Sequence, residues 1–498
     1  MLWLLLLGGM AILYYYWGSA FQYWKKKNVP HPKPSIFFGN IGAFLTMKKA
    51  MGQVYEDIYT AFPEYSYVGF YRIRKPALII RDPHLIRNIL GKDFNSFHDN
   101  DLTVDETVDP IGAKNPFMLK GEKWKIVKNQ ITPCFTGKKL KSMYGLIEDS
   151  ANKLVKYISN SAEASSSDGL EANELCAKYS TEVVANCVFG LEGNTFEDPD
   201  SMFRKMGKKT FEPTLKNLLF IYMIIFLPSL TKILRIGIFS KEVSEYFLGI
   251  VKATIKYRKE NNVVRNDFFD FLLELKNKDD QFTEIDITAQ AVAFFTDGFE
   301  TSSAVLSFVL YDLATNPKIL QKVHDEVNNA ILQRGTFDYD SINELKYMEA
   351  VINESLRLHP PGSILVRVCT QPFKLPSPKN GVKDEVEVEV GTPVVIPVQG
   401  LHYDSQYFKD PLVYDPERFL PENKERIVKG SFLPFGEGAR SCHGQRFALL
   451  QIKVAIVSIL RNFDIKLSDK TKLPLEVDPA AVVIRAKGGL WIRYFKRQ

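Results

Sequence analysis

The chain has 498 residues, of which 45% are hydrophobic and 24% charged, with a net charge of +6 and five cysteines. A charge that mild argues against nucleic acid as a partner. An odd number of cysteines with no C-x-x-C pair argues against both a disulfide framework and a zinc site.

The first predicted element is apolar. Residues 1–24 carry no charged side chain, and Lys25, Lys26 and Lys27 follow at once. The run MLWLLLLGGMAILYYYWGSAF is about 20 residues, long enough to span a bilayer. The lysines belong on its cytoplasmic side, and Tyr14, Tyr15, Tyr16, Trp17, Tyr23 and Trp24 suit an interfacial belt. The expectation is a retained signal-anchor helix over 1–24. A basic, proline-rich hinge over 25–34 follows, holding the body off the bilayer. The remainder, 35–498, contains no linker, low-complexity tract or repeat and reads as a single catalytic domain.

Beyond the hinge, strand-like patterns run from Tyr67 to Ile80, Val382 to Val398 and Ala481 to Phe495, the last with Gly488-Gly489 as a turn. A basic cluster of Lys120, Lys123, Lys125, Lys128, Lys138, Lys139 and Lys141 surrounds Trp124. The apolar segment from Leu215 is broken by Pro228 and too short to span; it is either a buried core helix or an exposed patch touching lipid headgroups. Ile285 to Asn316 has helical apolar spacing, with Asp286 placed as its cap. Gly298 in its middle costs about 1 kcal/mol relative to alanine and suggests something packed close to the backbone. The fold class is mainly α with small β-sheets.

Four local patterns carry chemistry. In Asp297-Gly298-Phe299-Glu300-Thr301, acids and an alcohol stand beside the mid-helix glycine. In Glu354-Ser355-Leu356-Arg357, acid and arginine share one helix face. In Asp415-Pro416-Glu417-Arg418-Phe419, a turn carries another arginine. The last is PFGEGARSCHGQRF, residues 434–447, where Cys442 stands behind a glycine loop at the mouth of an apolar helix. Helix N-termini and free N–H groups favour thiolate there. A thiolate serves as nucleophile, zinc ligand or axial ligand to iron. His443 reads as solvent-facing. The other four cysteines read as small buried hydrophobes.

Together these patterns resemble the cytochrome P450 family of haem-thiolate monooxygenases. Phe435, Gly438, Arg440, Cys442 and Gly444 match its F-x-x-G-x-R-x-C-x-G signature, Glu354 and Arg357 its E-x-x-R pair, and Arg418 the third member of that cluster. Phrases such as ESLRLHPP, YDPERF and RNDFFDFLLEL resemble microsomal enzymes of the insect xenobiotic-metabolising group. The resemblance implies the P450 fold, haem b held through Cys442, and monooxygenation of a lipophilic molecule. It implies electrons from NADPH through the FAD and FMN of cytochrome P450 reductase, with cytochrome b5 as a further partner. It implies attachment to the endoplasmic reticulum membrane with the catalytic domain on the cytoplasmic face. Arg440 and Arg367 would pair with haem propionates. Trp124 and Lys128 match the family's W-x-x-x-R helix, with lysine in place of the arginine. Thr301 would hydrogen-bond oxygen at the iron, and Glu300 would relay protons. Asp297 replaces the usual alanine or glycine; it could supply protons, favour basic substrates or turn into a salt bridge. The basic cluster would dock the acidic reductase. The pocket walls would come from Phe97 to Phe117, the Leu215 segment, the helix around Phe294 and Phe295, Gly362 to Val366 and Ala480 to Ile484. Two other readings stay open: a reductase-independent isomerase or dehydratase, and a non-catalytic haem carrier or sensor.

Overall fold

The computed structural model describes residues 15–211, 214–379, 381 and 384–497. Most of the anchor expected over 1–24 therefore lies outside the described residues. Among the described residues no helix is long and apolar enough to cross a membrane.

The helices that position the site are α1 (Gly121–Ile131), α2 (Gly137–Asn160), α3 (Ala172–Val184), α4 (Met202–Phe211), α5 (Leu215–Phe226), α6 (Lys241–Asn261), α7 (Glu284–Thr315), α8 (Lys346–Leu358) and α9 (Gln445–Asn462). The strands are β1 (Tyr67–Arg72), β2 (Lys75–Ile80), β3 (Leu170–Glu171), β4 (Leu365–Val368), β5 (Phe373–Pro376), β6 (Glu385–Val388), β7 (Pro393–Ile396), β8 (Phe463–Leu467) and β9 (Trp491–Lys496). They form sheets of order β1-β2-β7-β4, β3-β9-β8 and β5-β6. The class is mainly helical with small sheets, as the sequence suggests.

Helix α7 is the axis of the helical core, packed along α3 and flanked by α6, α8 and α9. Its 32 residues are about 48 Å of helix at 1.5 Å per residue. The cap is Thr283, not Asp286. The Thr283 side chain accepts from the Asp286 N–H, and the Asp286 carboxylate accepts from the Thr283 N–H at 2.9 Å. The acid sits at the third helical position of a capping box, where it also meets the helix dipole. At the other end Pro317 starts the next helix, where its missing N–H costs nothing.

The sheet half has its own apolar core. All six residues of β1 are buried, and β1 pairs antiparallel with β2 from Tyr67↔Ile80 to Arg72↔Lys75. The Val382–Val398 stretch divides between two sheets: β6 alternates exposed glutamates with buried valines against β5, and β7 is buried throughout. Of the Ala481–Phe495 stretch only β9 is strand. Gly488 and Gly489, both at positive φ, turn the chain into it, and its partners are β3 and β8 rather than residues 481–487.

The segment after residue 24 is no free spacer. Trp24 is 0% exposed; its Nε1–H donates to the Phe70 carbonyl at 3.0 Å and its backbone N–H to the Tyr71 hydroxyl at 3.1 Å. Gly69 lacks a side chain where the indole lies, since a Cβ there would sit 2.5 Å from it. Pro30 accepts from the Gly69 N–H at 2.8 Å, and Lys27 pairs with Glu389 at 3.1 Å. An indole with an apolar socket at hand gains more by filling it than by resting at an interface.

The Leu215 segment is α5 followed by a short helix at Pro228–Ile233. Its inner face buries Leu218 and Ile224, and Tyr222 donates to the Phe44 carbonyl. Its outer face exposes Leu219, Leu227, Leu230, Ile233 (74%) and Leu234, and nearby Ile36, Phe37 (67%) and Phe38 are exposed too. The exposed-patch alternative is the one this packing favours.

Trp24→Ala should remove the plug and lower stability by about 3–5 kcal/mol. Denaturant unfolding of the variant checks this, and an unchanged midpoint would contradict the weld.

Candidate functional site

The site sits where the helical core meets the sheet. Gly436 and Gly438 take φ of +70° and +77°, and a Cβ on Gly438 would stand 2.0 Å from the Leu90 carbonyl oxygen. Only glycine fits there, so Gly438 is required by its own backbone and by protein packed on it. The Cys442 N–H donates to the Phe435 carbonyl at 2.8 Å and closes the loop, while the half-buried Phe435 ring rests on the helical core. Gly444 is the residue before α9.

Four cysteines are buried and Cys442 is accessible, yet its thiol lies deep in a concavity. Burial pushes it up to about 11, against the N–H groups of Gly444 and Gln445, which bond to the sulfur and favour thiolate. The charge of Asp297 is also felt at the thiol, and the Asp297 side chain, like that of Cys442, is accessible, so we read the two as lining one cavity.

On one side of the loop cations gather. Arg440 lies 4.2 Å over the Trp124 ring, donates to the Leu119 carbonyl at 2.8 Å and meets Asp99 at 3.2 Å. Lys128 donates to the Ala439 carbonyl at 2.7 Å and lies 5.2 Å from the same ring. Among the described residues, the Arg367 side chain, on β4, donates only to its neighbour Val366 at 2.9 Å. The Nε atoms of Arg367 and Arg440 are buried without a partner among the described residues. Burial brings both guanidiniums down to about 10, Arg367 further opposed by Arg440.

Behind the loop Glu354 and Arg357 are both 0% exposed and joined by two bonds of 2.8 Å. This is a core pair, not a surface one. Arg418 Nε stands 3.5 Å from Glu354. Arg357 also donates to the carbonyls of His402 at 2.8 Å and Pro411 at 2.7 Å.

The family model for cytochrome P450 matches residues 29–493. The chain belongs to the cytochrome P450 family. Cytochrome P450 6k1 of Blattella germanica is 36% identical over 506 residues, covering 97% of this chain and 94% of that protein. Probable cytochrome P450 28d1 of Drosophila melanogaster is 35% identical (98% and 97% covered), and probable cytochrome P450 6d4 of the same fly 34% (98% and 97%). The likeness is thus to insect P450s. As a P450 the enzyme is an oxidoreductase of the monooxygenase type, with haem b as cofactor and electrons derived from NADPH.

The residues of this P450 fit haem b. Of the three cations Lys128, Arg367 and Arg440, among the described residues Arg440 alone meets a carboxylate, Asp99, and the Nε–H groups of Arg367 and Arg440 have no acceptor there. A dianionic group supplies the missing charge and acceptors. A thiol backed by two N–H groups suits an axial ligand.

Across the cavity, Thr301 donates its hydroxyl hydrogen to the Asp297 carbonyl at 2.6 Å, one turn back along α7. Its oxygen lone pairs remain free to accept. Glu300 is turned about 100° around the helix from Thr301. Burial raises its carboxyl, and Arg204 and Arg485 act against that rise. Asp297 thus lies between the two on the helix surface, with Thr301 at i+4 on one flank and Glu300 at i+3 on the other, toward Arg204. No protein atom crowds Gly298: a Cβ there would meet Val184 at an ordinary 3.6 Å.

Two expectations need correction, and one of the three alternatives for Asp297 drops out. Phe294 packs on Phe135, Phe268 and Phe447, and Phe295 on Phe189, Phe203 and Phe247, so both fill core rather than wall. A helix buried on all sides carries apolar residues toward core and cavity alike. His443 is not solvent-facing; its Nε2 is buried without a partner and its ring lies 6.4 Å from Phe135. Asp297 makes no salt bridge among the described residues; its partners are the Thr296 hydroxyl at 3.2 Å and the Asn115 side chain.

Sequence reading missed His402. Fully buried, its Nε2 accepts from the Leu433 N–H at 3.0 Å, so Nδ1 carries the hydrogen and donates to the Arg357 carbonyl at 3.0 Å. Its ring stacks on Phe432. His402 therefore joins the Glu354–Arg357 pair to the first residues of the cysteine loop. Asp99 and Asn115 were missed too, since their partners are distant in sequence.

His402→Phe should keep the stack but orphan the Leu433 N–H, a loss of about 1–3 kcal/mol. The folded protein should show a smaller thiolate-type Soret fraction in its reduced carbon monoxide complex. Burial brings His402 from 6.5 down to about 3. A lowered folded value means its contribution is complete above pH 6.5 and is lost as pH falls toward 3. The stability gap between wild type and variant should close over that window in pH-dependent denaturation.

Proposed function

We propose that this P450 is bound to the endoplasmic reticulum membrane with its catalytic domain on the cytoplasmic face. There it oxidises a lipophilic small molecule with one oxygen atom from O2, taking electrons from NADPH through a flavoprotein reductase. The observation that carries the reading is the Cys442 sulfur, backed by the N–H groups of Gly444 and Gln445 and facing a carboxylate across one cavity.

Cys442 would ligate the haem iron, and Arg367, Arg440 and Lys128 would hold the propionates, with Trp124 under the last two. Phe435, Gly438 and Gly444 shape the loop. Haem bound by thiolate supplies oxygen activation. Thr301 Oγ1, its own hydrogen held on the Asp297 carbonyl, accepts a hydrogen bond and so positions a proton-bearing group in the cavity. Glu300 brings protons from the Arg204 side of α7. Asp297 adds a charge to the pocket wall.

The exposed lysines Lys123, Lys125, Lys138 and Lys141 form the docking face for the acidic reductase and for cytochrome b5, where exposed charge is enough for steering. The anchor over 1–24 and the exposed apolar face of the Leu215 segment attach the domain over 35–498 to lipid. Trp24 and the hinge set that domain's seat.

Incubation with reductase, NADPH and a panel of lipophilic molecules tests the reaction: product should form with matching consumption of NADPH and oxygen. Product without NADPH use would point to an isomerase instead. Cys442→Ser should abolish the thiolate-type Soret shift; its persistence would mean another ligand. Thr301→Ala should keep NADPH consumption but redirect it from product to hydrogen peroxide, measured together in one assay. Removal of residues 1–18 should leave a folded protein that still floats with vesicles; a fully soluble product would contradict a lipid role for the Leu215 face.

A further inference from the structure

Asp297 is a charge built into the wall of the cavity that Cys442 faces. Its side chain is open to that space, and its charge reaches the thiol. It is also held firmly. Thr296 Oγ1 bonds it at 3.2 Å and the Asn115 side chain bonds it as well. Asn115 is itself buried and accepts from the Phe117 N–H at 2.7 Å. The Asp297 carbonyl is fastened by Thr301, in the middle of the longest helix described.

Both donors to the carboxylate are neutral. No basic side chain acts on it among the described residues. Of the site's cations, Lys128 is engaged on Ala439 and Arg440 on Asp99 and Leu119, and Arg367 does not act on Asp297. The Asn115 and Thr296 bonds orient the carboxylate without neutralising it, and a desolvated charge without a counter-charge is costly. Burial pushes the carboxyl up to about 6, in keeping with that cost. Apolar side chains flank the site: Leu365, half-buried on β4, lies beside Gly436 of the cysteine loop, and the exposed Phe117 follows Asn115 by two residues. What this arrangement lacks is a positive charge carried on an apolar body.

We propose that Asp297 anchors a cationic nitrogen, so that the favoured substrates are lipophilic amines. The proposal rests on the reading of this cavity as the haem-thiolate substrate pocket. An ammonium ion in the dry cavity pairs with the carboxylate far more strongly than it would in water. A neutral molecule of the same shape leaves the carboxylate unanswered and is rejected on that account. A single placed charge in an apolar pocket also orients the bound molecule, directing one end of it away from the nitrogen.

The test compares two probes of one shape on the holoenzyme by equilibrium dialysis: 4-phenylbutyltrimethylammonium and its neutral isostere 5,5-dimethylhexylbenzene. The quaternary nitrogen has no lone pair and cannot itself ligate a metal. Wild type should bind the cation more tightly than the isostere. Asp297→Asn and Asp297→Ala should each weaken the cation by about tenfold or more while changing the isostere by less than about twofold. Equal losses for both probes, or an undiminished affinity for the cation in both variants, overturn the proposal. Undiminished binding with more peroxide per NADPH overturns it too and assigns Asp297 to proton delivery. A wild-type holoenzyme that lacks the thiolate-type carbon monoxide spectrum, or binds neither probe, instead shows that the pocket reading itself is wrong, and the amine proposal falls with it.

Discussion

Burying one ion pair organises the ground on which the cysteine stands. Glu354 and Arg357 are wholly withdrawn from water, and two charges in that position are tolerable only when every donor and acceptor is answered. The answers come from the His402 carbonyl at the end of a short helix and, in irregular chain, from the Pro411 carbonyl and the Asp415 N–H. A stretch with little regular structure is thereby given one conformation. His402 extends the arrangement to Leu433, and from there the turn at Gly436 and the closure between Cys442 and Phe435 follow by short local bonds. The thiol's place is thus inherited from a charge pair on α8 with which it has no contact among the bonds described.

The cavity between that loop and α7 is electrically lopsided. On the Arg440 side three cations gather and, among the described residues, only Arg440 is answered by a carboxylate, whereas Asp297 stands without a cation on the other. The thiol lies between, held up by burial and drawn down by two N–H groups that do not overcome it. Its ionised form needs a positive partner in the cavity, just as the guanidiniums need an anionic one. Both requirements come from protein groups alone, and they are met by one flat molecule with a metal at its centre and carboxylates at its edge.

How much of this could be read from sequence depended on whether a residue's partners are near it in the chain. The cysteine loop was legible because its glycines, arginine and cysteine stand at fixed short spacings. Helix α7 was legible through its apolar spacing, but its cap was misplaced by three residues, because Thr283 and Asp286 are both cap-forming types and only the geometry ranks them. His402 and Asp99 left no local signal; their partners lie 45 and 341 residues away. Phe294 and Phe295 illustrate a different limit. An apolar side chain on a fully buried helix looks the same whether it faces neighbours or a cavity. Trp24 shows a third limit, since aromatic residues beside lysines describe a bilayer interface and a buried plug equally well.

That plug has a mechanical consequence. A peptide that leaves a membrane through a flexible tether lets its cargo swivel, and the cargo samples all orientations. Here the indole is keyed into the notch left by Gly69, and Lys27 clamps the next turn of chain against the β6 hairpin. Torque applied upstream of residue 24 is therefore transmitted to the sheet instead of being dissipated in the joint. Any swap of the leading segment that ends before the key preserves the bearing of the body relative to whatever holds that segment, and one that cuts into the key turns a fixed mount into a loose chain.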